Sequence, residues 1–569
     1  MSRAGESSVS PEDMQVLNTL SYLGGDAGSD LFPKEDSSVS EGQGEDPSAD
    51  ARKAIHKLTS GGYNNMKLED MAKDEDFKSL ITYLRANSDK KSSTFVTGGE
   101  LAEYLERAGT DPQLKDLKIA DVDPNQENGY GAFCFTKGEG EDRKAYVVYR
   151  GTASDPEGKT GWPSNINMLW QADTEAQVNA ASYYQYLRTK IGGEGKFFVT
   201  GHSQGGNDAM YVAVTQPGIT GCYAYDAPGF GGPFYRKYHD LLIERGEKVF
   251  MFNFMNDIVS PLFSYMTRYF TRKFVWNGYD NGDSIAENHA PNAFFRNGME
   301  FQYVNPGPLW NNISGLSTWI VGTVPESQLE GLTPFVTELV QKGTAGQSLL
   351  DLLRQNPEKT GQLLGIVLSY PGLPLLIDSA RETLPQGQLV LLSLVEAVLS
   401  IGGGAMAAGS TAALMSVLVP ILVGMGFDAE WAAKMVPSMV AAIASAYNAD
   451  DMPLPAGKAA SDVTRDFSEA KMLAIERAAK LSVTVELWRS SRWQEYASEP
   501  WFSRVGVPET HVRLFLLSHY ANEATEEPLV KVEERFASAR ERDGSFAETV
   551  SGQLADMGAV AKRIDALFR

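Results

Sequence analysis

The chain has 569 residues, 43% of them apolar, and a formal net charge of −22. That length predicts two to four domains with ample core-forming surface, and the acidic balance excludes nucleic acid and simple electrostatic docking on an anionic membrane. The two cysteines, Cys134 and Cys222, lie in strand-like runs and read as buried free thiols; no Cys/His cluster has metal-ligand spacing, and neither a cofactor nor a metal is expected.

The first residues run into a polar, acidic stretch with no apolar core, so no secretory signal peptide is read. The default location is the cytoplasm, with leaderless secretion or membrane association as alternatives. Glu12 to Leu23 has an amphipathic, helix-like pattern. Residues 24–50 hold eight acids against one lysine, with many Gly and Ser, and read as a disordered loop. From Arg52 to Leu105 helical patterns alternate with turns. Gly131 to Phe135 and Ala145 to Tyr149 read as a hairpin joined across 137–142. Strands then alternate with helices to about residue 280, which predicts a mostly parallel sheet of α/β class.

Gly201-His202-Ser203-Gln204-Gly205 follows the apolar strand Phe197-Phe198-Val199 and opens a helix-compatible stretch. G-x-S-x-G between strand and helix is the nucleophile elbow of α/β-hydrolases, with the serine on a tight turn above the sheet and helix N–H groups aimed at developing charge. Ser203 is the expected nucleophile. The Gln204 N–H, next in the chain, is one expected oxyanion donor. The other is Thr152, in the loop after the strand Lys144 to Arg150, through its N–H and hydroxyl.

A serine nucleophile needs a base, and the chain has six histidines. After the elbow and within the strand-rich part, His239 and His289 qualify. His239 sits in a charged stretch that reads as a solvated helix face, while His289 lies in a loop after the late strand-like run Lys273 to Trp276. His289 is the expected base. The acid belongs between Ser203 and His289. Asp257 follows the apolar strand Val249 to Phe254, and its competitor, Asp226, follows Cys222 to Tyr225. Asp257 is favoured, with Asp226 as the alternative acid and, failing that, a turn aspartate bonding its own backbone.

Four segments, Val147 to Thr152, Thr200 to Asn207, Tyr225 to Phe230 and Asn256 to Pro261, together resemble the class 3 (fungal-type) lipases and a related bacterial lipase-like family. Leu20-Ser21-Tyr22-Leu23 and His289-Ala290-Pro291 are similar to that bacterial family as well. The likeness spans roughly residues 12 to 300. It implies a serine ester hydrolase acting on lipid-like acyl esters through Ser203, His289 and Asp257, with Thr152 as the oxyanion Ser/Thr. A small-molecule esterase or thioesterase, a leaderless secreted bacterial effector, and a non-catalytic interaction protein are the rival readings. Trp162, a few residues past Thr152, is a lid or acyl-contact candidate, and equally a core anchor for the next helix.

After Gly307 strand signals fade. The expected organisation is a hydrolase domain over 10–305, an apolar helical region over 310–450, a Pro/Gly linker at 451–459, and a charged helical region over 460–569. Residues 383–427 carry one charge, Glu396, and Ala397 to Phe427 carry none across 31 residues. That run is long enough to cross a bilayer. It reads either as a membrane or protein contact or as helices buried in a helical domain; Glu396, Pro420 and the interrupting glycines favour burial.

Overall fold

The computed structural model describes residues 9–448 apart from 26–28, 33–46, 124–130, 153–165, 169, 265–268, 277–284, 296–297, 325, 345–348, 369, 371–372, 384–418 and 420–427. The chain divides into two compact units, residues 1–310 with 340–345, and residues 311–339 with 346–569.

In the first unit, five helices lead: α1 (Pro11–Ser21), α2 (Pro47–Thr59), α3 (Leu68–Met71), α4 (Glu75–Ala86) and α5 (Gly98–Thr110). Their boundaries follow from caps. The Ser10 hydroxyl accepts the Asp13 N–H ahead of a proline in the first turn of α1, and Thr97 with Glu100 forms a capping box on α5. Next come β1 (Lys118–Asp123), β2 (Ala132–Lys137), β3 (Lys144–Tyr149), α6 (Glu175–Lys190), β4 (Lys196–His202), α7 (Gln204–Thr215), β5 (Ile219–Tyr225), α8 (Gly232–Arg245), β6 (Val249–Phe254), β7 (Thr271–Trp276), α9 (Ile285–Asn288) and β8 (Gln302–Val304). All eight strands lie in one sheet in chain order. β3 to β7 run parallel, while β1–β2, β2–β3 and β7–β8 are antiparallel. The expected hairpin is β2–β3. The sequence reading had no counterpart for β1 or the three-residue β8.

The sheet is covered on both faces, as parallel strands require. On one face, Phe198, Tyr223, Tyr225 and Phe252 join a continuous apolar core with residues of α1, α2, α4 and α5. On the other, Tyr184 of α6 meets Phe197 edge-on at 5.5 Å. Burying each such ring contributes roughly 1.5–3 kcal/mol. The amphipathic expectation for the first helix is corrected here: α1 is buried from Asp13 through Ser21. It lies between the sheet and α5, so its polar side chains need protein partners. Asp13 has Arg107 at 2.7 Å, and Gln15 and Asn18 have partners beside the candidate site.

Within the acidic segment 24–50, Leu31 and Phe32 are core residues and Pro47 opens α2; residues 33–46 lie outside the described residues. Cys134 and Cys222 are buried free thiols, as expected, and burial pushes both upward in pKa.

The second unit takes up, among the described residues, the helical segments after Trp310 other than 340–344. α10 (Pro308–Thr323) and α11 (Glu326–Thr344) are followed by α12 (Leu349–Gln355), α13 (Pro357–Leu368), α14 (Leu373–Thr383) and α15 (Ala429–Asn448). α13 and α15 approach backbone to backbone. A Cβ at Gly361 would collide with the Met435 carbonyl, and one at Gly365 with the Met439 carbonyl. No helix of the described residues is long and apolar enough to cross a membrane. The segment 383–427 lies, but for Thr383 and Val419, outside the described residues, as do the linker 451–459 and the region 460–569.

Candidate active site

Ser203 sits between β4 and α7 with φ 58° and ψ −127°, a backbone conformation that costs of order 1–3 kcal/mol in a non-glycine residue. Its N–H donates to the Tyr225 carbonyl at 2.8 Å, which ties the elbow to β5. The flanking glycines serve closeness rather than strain. A Cβ at Gly201 would overlap the Gly205 carbonyl, and a Cβ at Gly205 would overlap the Tyr149 carbonyl at the end of β3. The strained torsion thus falls on the serine itself, held by a turn that only glycines on either side permit.

His289 leaves the short helix α9 and points back at the elbow. Its Nε2 lies 2.7 Å from Ser203 Oγ, and its Nδ1 lies 2.9 Å from Asp257 Oδ1. Asp257 is fully buried. Its carboxyl also accepts the N–H groups of Val259 at 3.1 Å and Ser260 at 2.6 Å, so the loop after β6 holds it rigidly. Trp310 Nε1 in turn donates to Ser260 Oγ at 2.9 Å. The histidine loop is anchored at several points. The Gln15 amide donates to the Pro291 carbonyl at 2.9 Å, the Asn292 amide donates to the Glu100 carboxylate, and Lys91 pairs with Glu287.

Asp226 occupies the end of β5 at φ 43°. Its Oδ1 accepts the Phe254 N–H at 2.6 Å, on the neighbouring strand rather than in its own turn, while Oδ2 is buried without a hydrogen-bond partner. Burial first, and then the Asp257 carboxylate, push Asp226 well above the usual carboxylate range. His239 does not join the site; its Nε2 lies 3.4 Å from the Tyr269 hydroxyl, and its ring packs edge-on against Tyr235. Half-buried among tyrosines, it is less solvated than its charged neighbours suggest.

Gln204 opens α7, where the first N–H groups have no partner within the helix. Its side chain does something the sequence did not disclose: Gln204 Oε1 accepts the Thr152 hydroxyl at 3.0 Å. The Thr152 hydroxyl proton, expected to face the oxyanion, is therefore turned to Gln204. Trp162 lies outside the described residues.

Residues 109–248 match the Mbeg1-like family. The matched stretch takes in Thr152, Ser203, Gln204 and Asp226 and stops short of Asp257 and His289. No curated protein and no solved structure matches the chain.

Asn207, quoted in the elbow segment without a role, is a supporting residue. Its amide donates to the carbonyls of Pro228 and Gly229 at 3.1 and 2.8 Å and accepts from Gln177 at 2.7 Å. Gly229 N–H then reaches the Leu262 carbonyl at 2.8 Å, which links the elbow helix to the loop of Asp257. The sequence signal for such residues is a polar side chain at an otherwise apolar helix position, as at Asn207, Gln15 and Asn18.

His202, Asp226 and His289 bring ligand-type atoms within 4.8 Å of one another. Both ring nitrogens of His289 already have partners, and His202 Nδ1 lies 2.9 Å from the Tyr22 hydroxyl. The cluster therefore reads as the surroundings of Ser203 rather than as a metal seat. Burial and the neighbouring His289 hold His202 well below the usual histidine range, so its ring is neutral.

Proposed function

We propose that the protein is a serine hydrolase of α/β-hydrolase type, akin to class 3 lipases, that cleaves carboxylic esters with lipid-like acyl groups. The reading rests above all on the hydrogen-bonded chain Ser203–His289–Asp257 at 2.7 and 2.9 Å. The match of residues 109–248 to the Mbeg1-like family, which is related to lipase-like α/β-hydrolases, supports the same direction.

In this mechanism Ser203 Oγ attacks the acyl carbonyl while His289 Nε2 takes its proton. Asp257 accepts the Nδ1–H, which fixes the tautomer and stabilises the imidazolium. The oxyanion develops toward the Gln204 N–H at the helix start and the Thr152 residue, and each such donor is worth ~3 kcal/mol in the transition state. His289 then protonates the leaving alcohol, and water resolves the acyl-enzyme by the same relay. The chain's own residues supply every proton transfer. The region 10–305 would carry this chemistry, with 310–450 and 460–569 as helical regions. Residues 383–427 are proposed as helices buried in the helical region, with a membrane or protein contact as the alternative, and the cytoplasm as the default site of action.

A fluorophosphonate probe tests the reading directly. It should label the wild type at Ser203 and leave Ser203→Ala unlabelled, and hydrolysis of a series of p-nitrophenyl esters from short to long acyl chains should then separate lipase from esterase. Failure to label the wild type would return the chain to a non-catalytic role.

A further inference from the structure

Tyr22 follows α1 directly and opens a short 3-10 turn, Tyr22–Gly25. Its side chain is buried and sits edge-on to His202, with ring centroids 5.9 Å apart. The hydroxyl does two things. It lies 2.9 Å from His202 Nδ1, and it packs against the Gly151 backbone so closely that a Cβ there would collide with the phenol oxygen. The His202 ring is neutral, and which partner donates in the bond between the Tyr22 hydroxyl and Nδ1 follows the ring tautomer; the hydroxyl also reaches the His202 carbonyl at 3.5 Å as a donor. Burial pushes the phenol upward in pKa, so the hydroxyl keeps its proton.

The neighbours of these two partners give the contact its meaning. Gly151 immediately precedes Thr152, and His202 immediately precedes Ser203 and Gln204. One phenol oxygen therefore bridges the ends of β3 and β4, the two strand ends from which the oxyanion donors emerge. The strands approach so closely that a Cβ at Gly151 would overlap both the Tyr22 hydroxyl and the His202 carbonyl. The Thr152 hydroxyl to Gln204 bond makes a second bridge one residue further along.

The helix that delivers Tyr22 is itself pinned. Asn18 donates to Thr200 Oγ1 at 3.1 Å on the elbow strand, and Gln15 donates to the Pro291 carbonyl in the histidine loop at 2.9 Å. Gln15, Asn18 and Tyr22, spaced three and four apart on one helical face, thus touch the histidine loop, the elbow strand and the oxyanion loop in turn.

We propose that Tyr22 is a positioning residue that sets the spacing of the oxyanion donors by bonding His202 and packing against Gly151. The inference rests on the ester-hydrolase reading above. It acts on the transition state and not on substrate capture, because its contacts are with Gly151 and His202, the chain neighbours of the oxyanion donors.

The test uses the full chain and the variant Tyr22→Phe, which keeps the ring and removes only the bridging oxygen. Fluorophosphonate titration first counts competent sites, so that kcat refers to folded enzyme. With p-nitrophenyl butyrate, kcat should fall about 10- to 100-fold, up to the loss of one oxyanion donor, while KM stays within about twofold. The affinity of a butyl trifluoromethyl ketone, whose serine adduct carries an oxyanion, should weaken by the same factor as kcat/KM. The plain methyl ketone, which leaves no such charge, should bind both forms alike. An active wild type with a Tyr22→Phe variant of unchanged kcat and unchanged trifluoromethyl ketone affinity would overturn the assignment, even if the melting temperature falls. A wild type that neither hydrolyses esters nor takes the probe would instead sink the hydrolase reading, and this one with it.

Discussion

Asp226 and Asp257 are buried carboxyl groups at the ends of neighbouring strands, and only Asp257 hydrogen-bonds His289, at 2.9 Å. Asp226 instead bonds the Phe254 N–H through one oxygen and leaves the other unpartnered. The two positions differ by what the backbone offers. Asp257 lies in a loop whose N–H groups turn its carboxyl toward the histidine, and Asp226 lies at a left-handed strand end that turns its carboxyl along the sheet.

Ranking the two acids follows from this. Asp257→Asn should cut kcat by about 10⁴-fold through the wrong imidazole tautomer, while Asp226→Asn should leave kcat within a small factor of wild type. Steady-state kinetics of both variants on one ester decide it. The reverse ranking would move the acid to the end of β5.

The raised pKa of Asp226 makes a prediction about stability. In the folded chain Asp226 stays protonated at a pH where the unfolded chain, with the ordinary value of 3.8, has released the proton. The folded state then binds more protons, so its contribution is full below that value and is lost as pH rises through the folded pKa. Buried Asp208 has the same sign. His202, held low, has the opposite sign below 6.5, so the wild-type profile alone mixes the three. Asp226→Asn keeps the acceptor for Phe254 and cannot ionise. Its melting temperature should exceed the wild type's at neutral pH, with the gap closing toward pH 4. A gap that is constant with pH would show that Asp226 does not titrate in this way.

Ser203→Ala removes one hydroxyl and the partner of His289 Nε2, without touching the glycines that shape the turn. Folding should be intact by circular dichroism. Ester hydrolysis should drop to the residual level that binding and oxyanion donors support. Activity within about tenfold of wild type would point to another serine.

In the second unit, Gly361→Ala and Gly365→Ala each place a methyl group against a backbone carbonyl of α15. Neither carbonyl can move aside as a side chain could. Each change should destabilise the α13–α15 pair by about 1–3 kcal/mol, read as a lower melting temperature of the transition that reports on this unit. Unchanged melting would mean that the two helices separate at little cost.

Residues 383–427 are tested by flotation. Burial in a helical core predicts that the full chain stays at the bottom of a gradient containing phosphatidylcholine vesicles. Flotation that survives high salt would assign the segment to the membrane, because with this net charge the attraction must be apolar, about 0.8 kcal/mol per buried methylene.

The local grammar of the chain determined a good deal. Alternating apolar runs and turn residues placed β2 to β7, because period and composition are properties of short segments. G-x-S-x-G located Ser203, since a close-packed elbow tolerates no side chain at Gly201 or Gly205. The order of strands and histidines singled out Asp257 and His289. What the sequence could not decide was every relationship that depends on a contact between distant segments. Residue 289 meets residue 203 only once the sheet has assembled. Gln15 and Asn18 fall in a pattern that reads as amphipathic, and they are interior groups because α5 and the sheet enclose α1 from both sides. The glycines of α13 carried no strand or motif signal, and their role appears only where the backbone of α15 arrives. Asp226 and Asp257 are the clearest case. Both are aspartates after apolar strands, and the direction of a few backbone N–H groups in three dimensions distinguishes them.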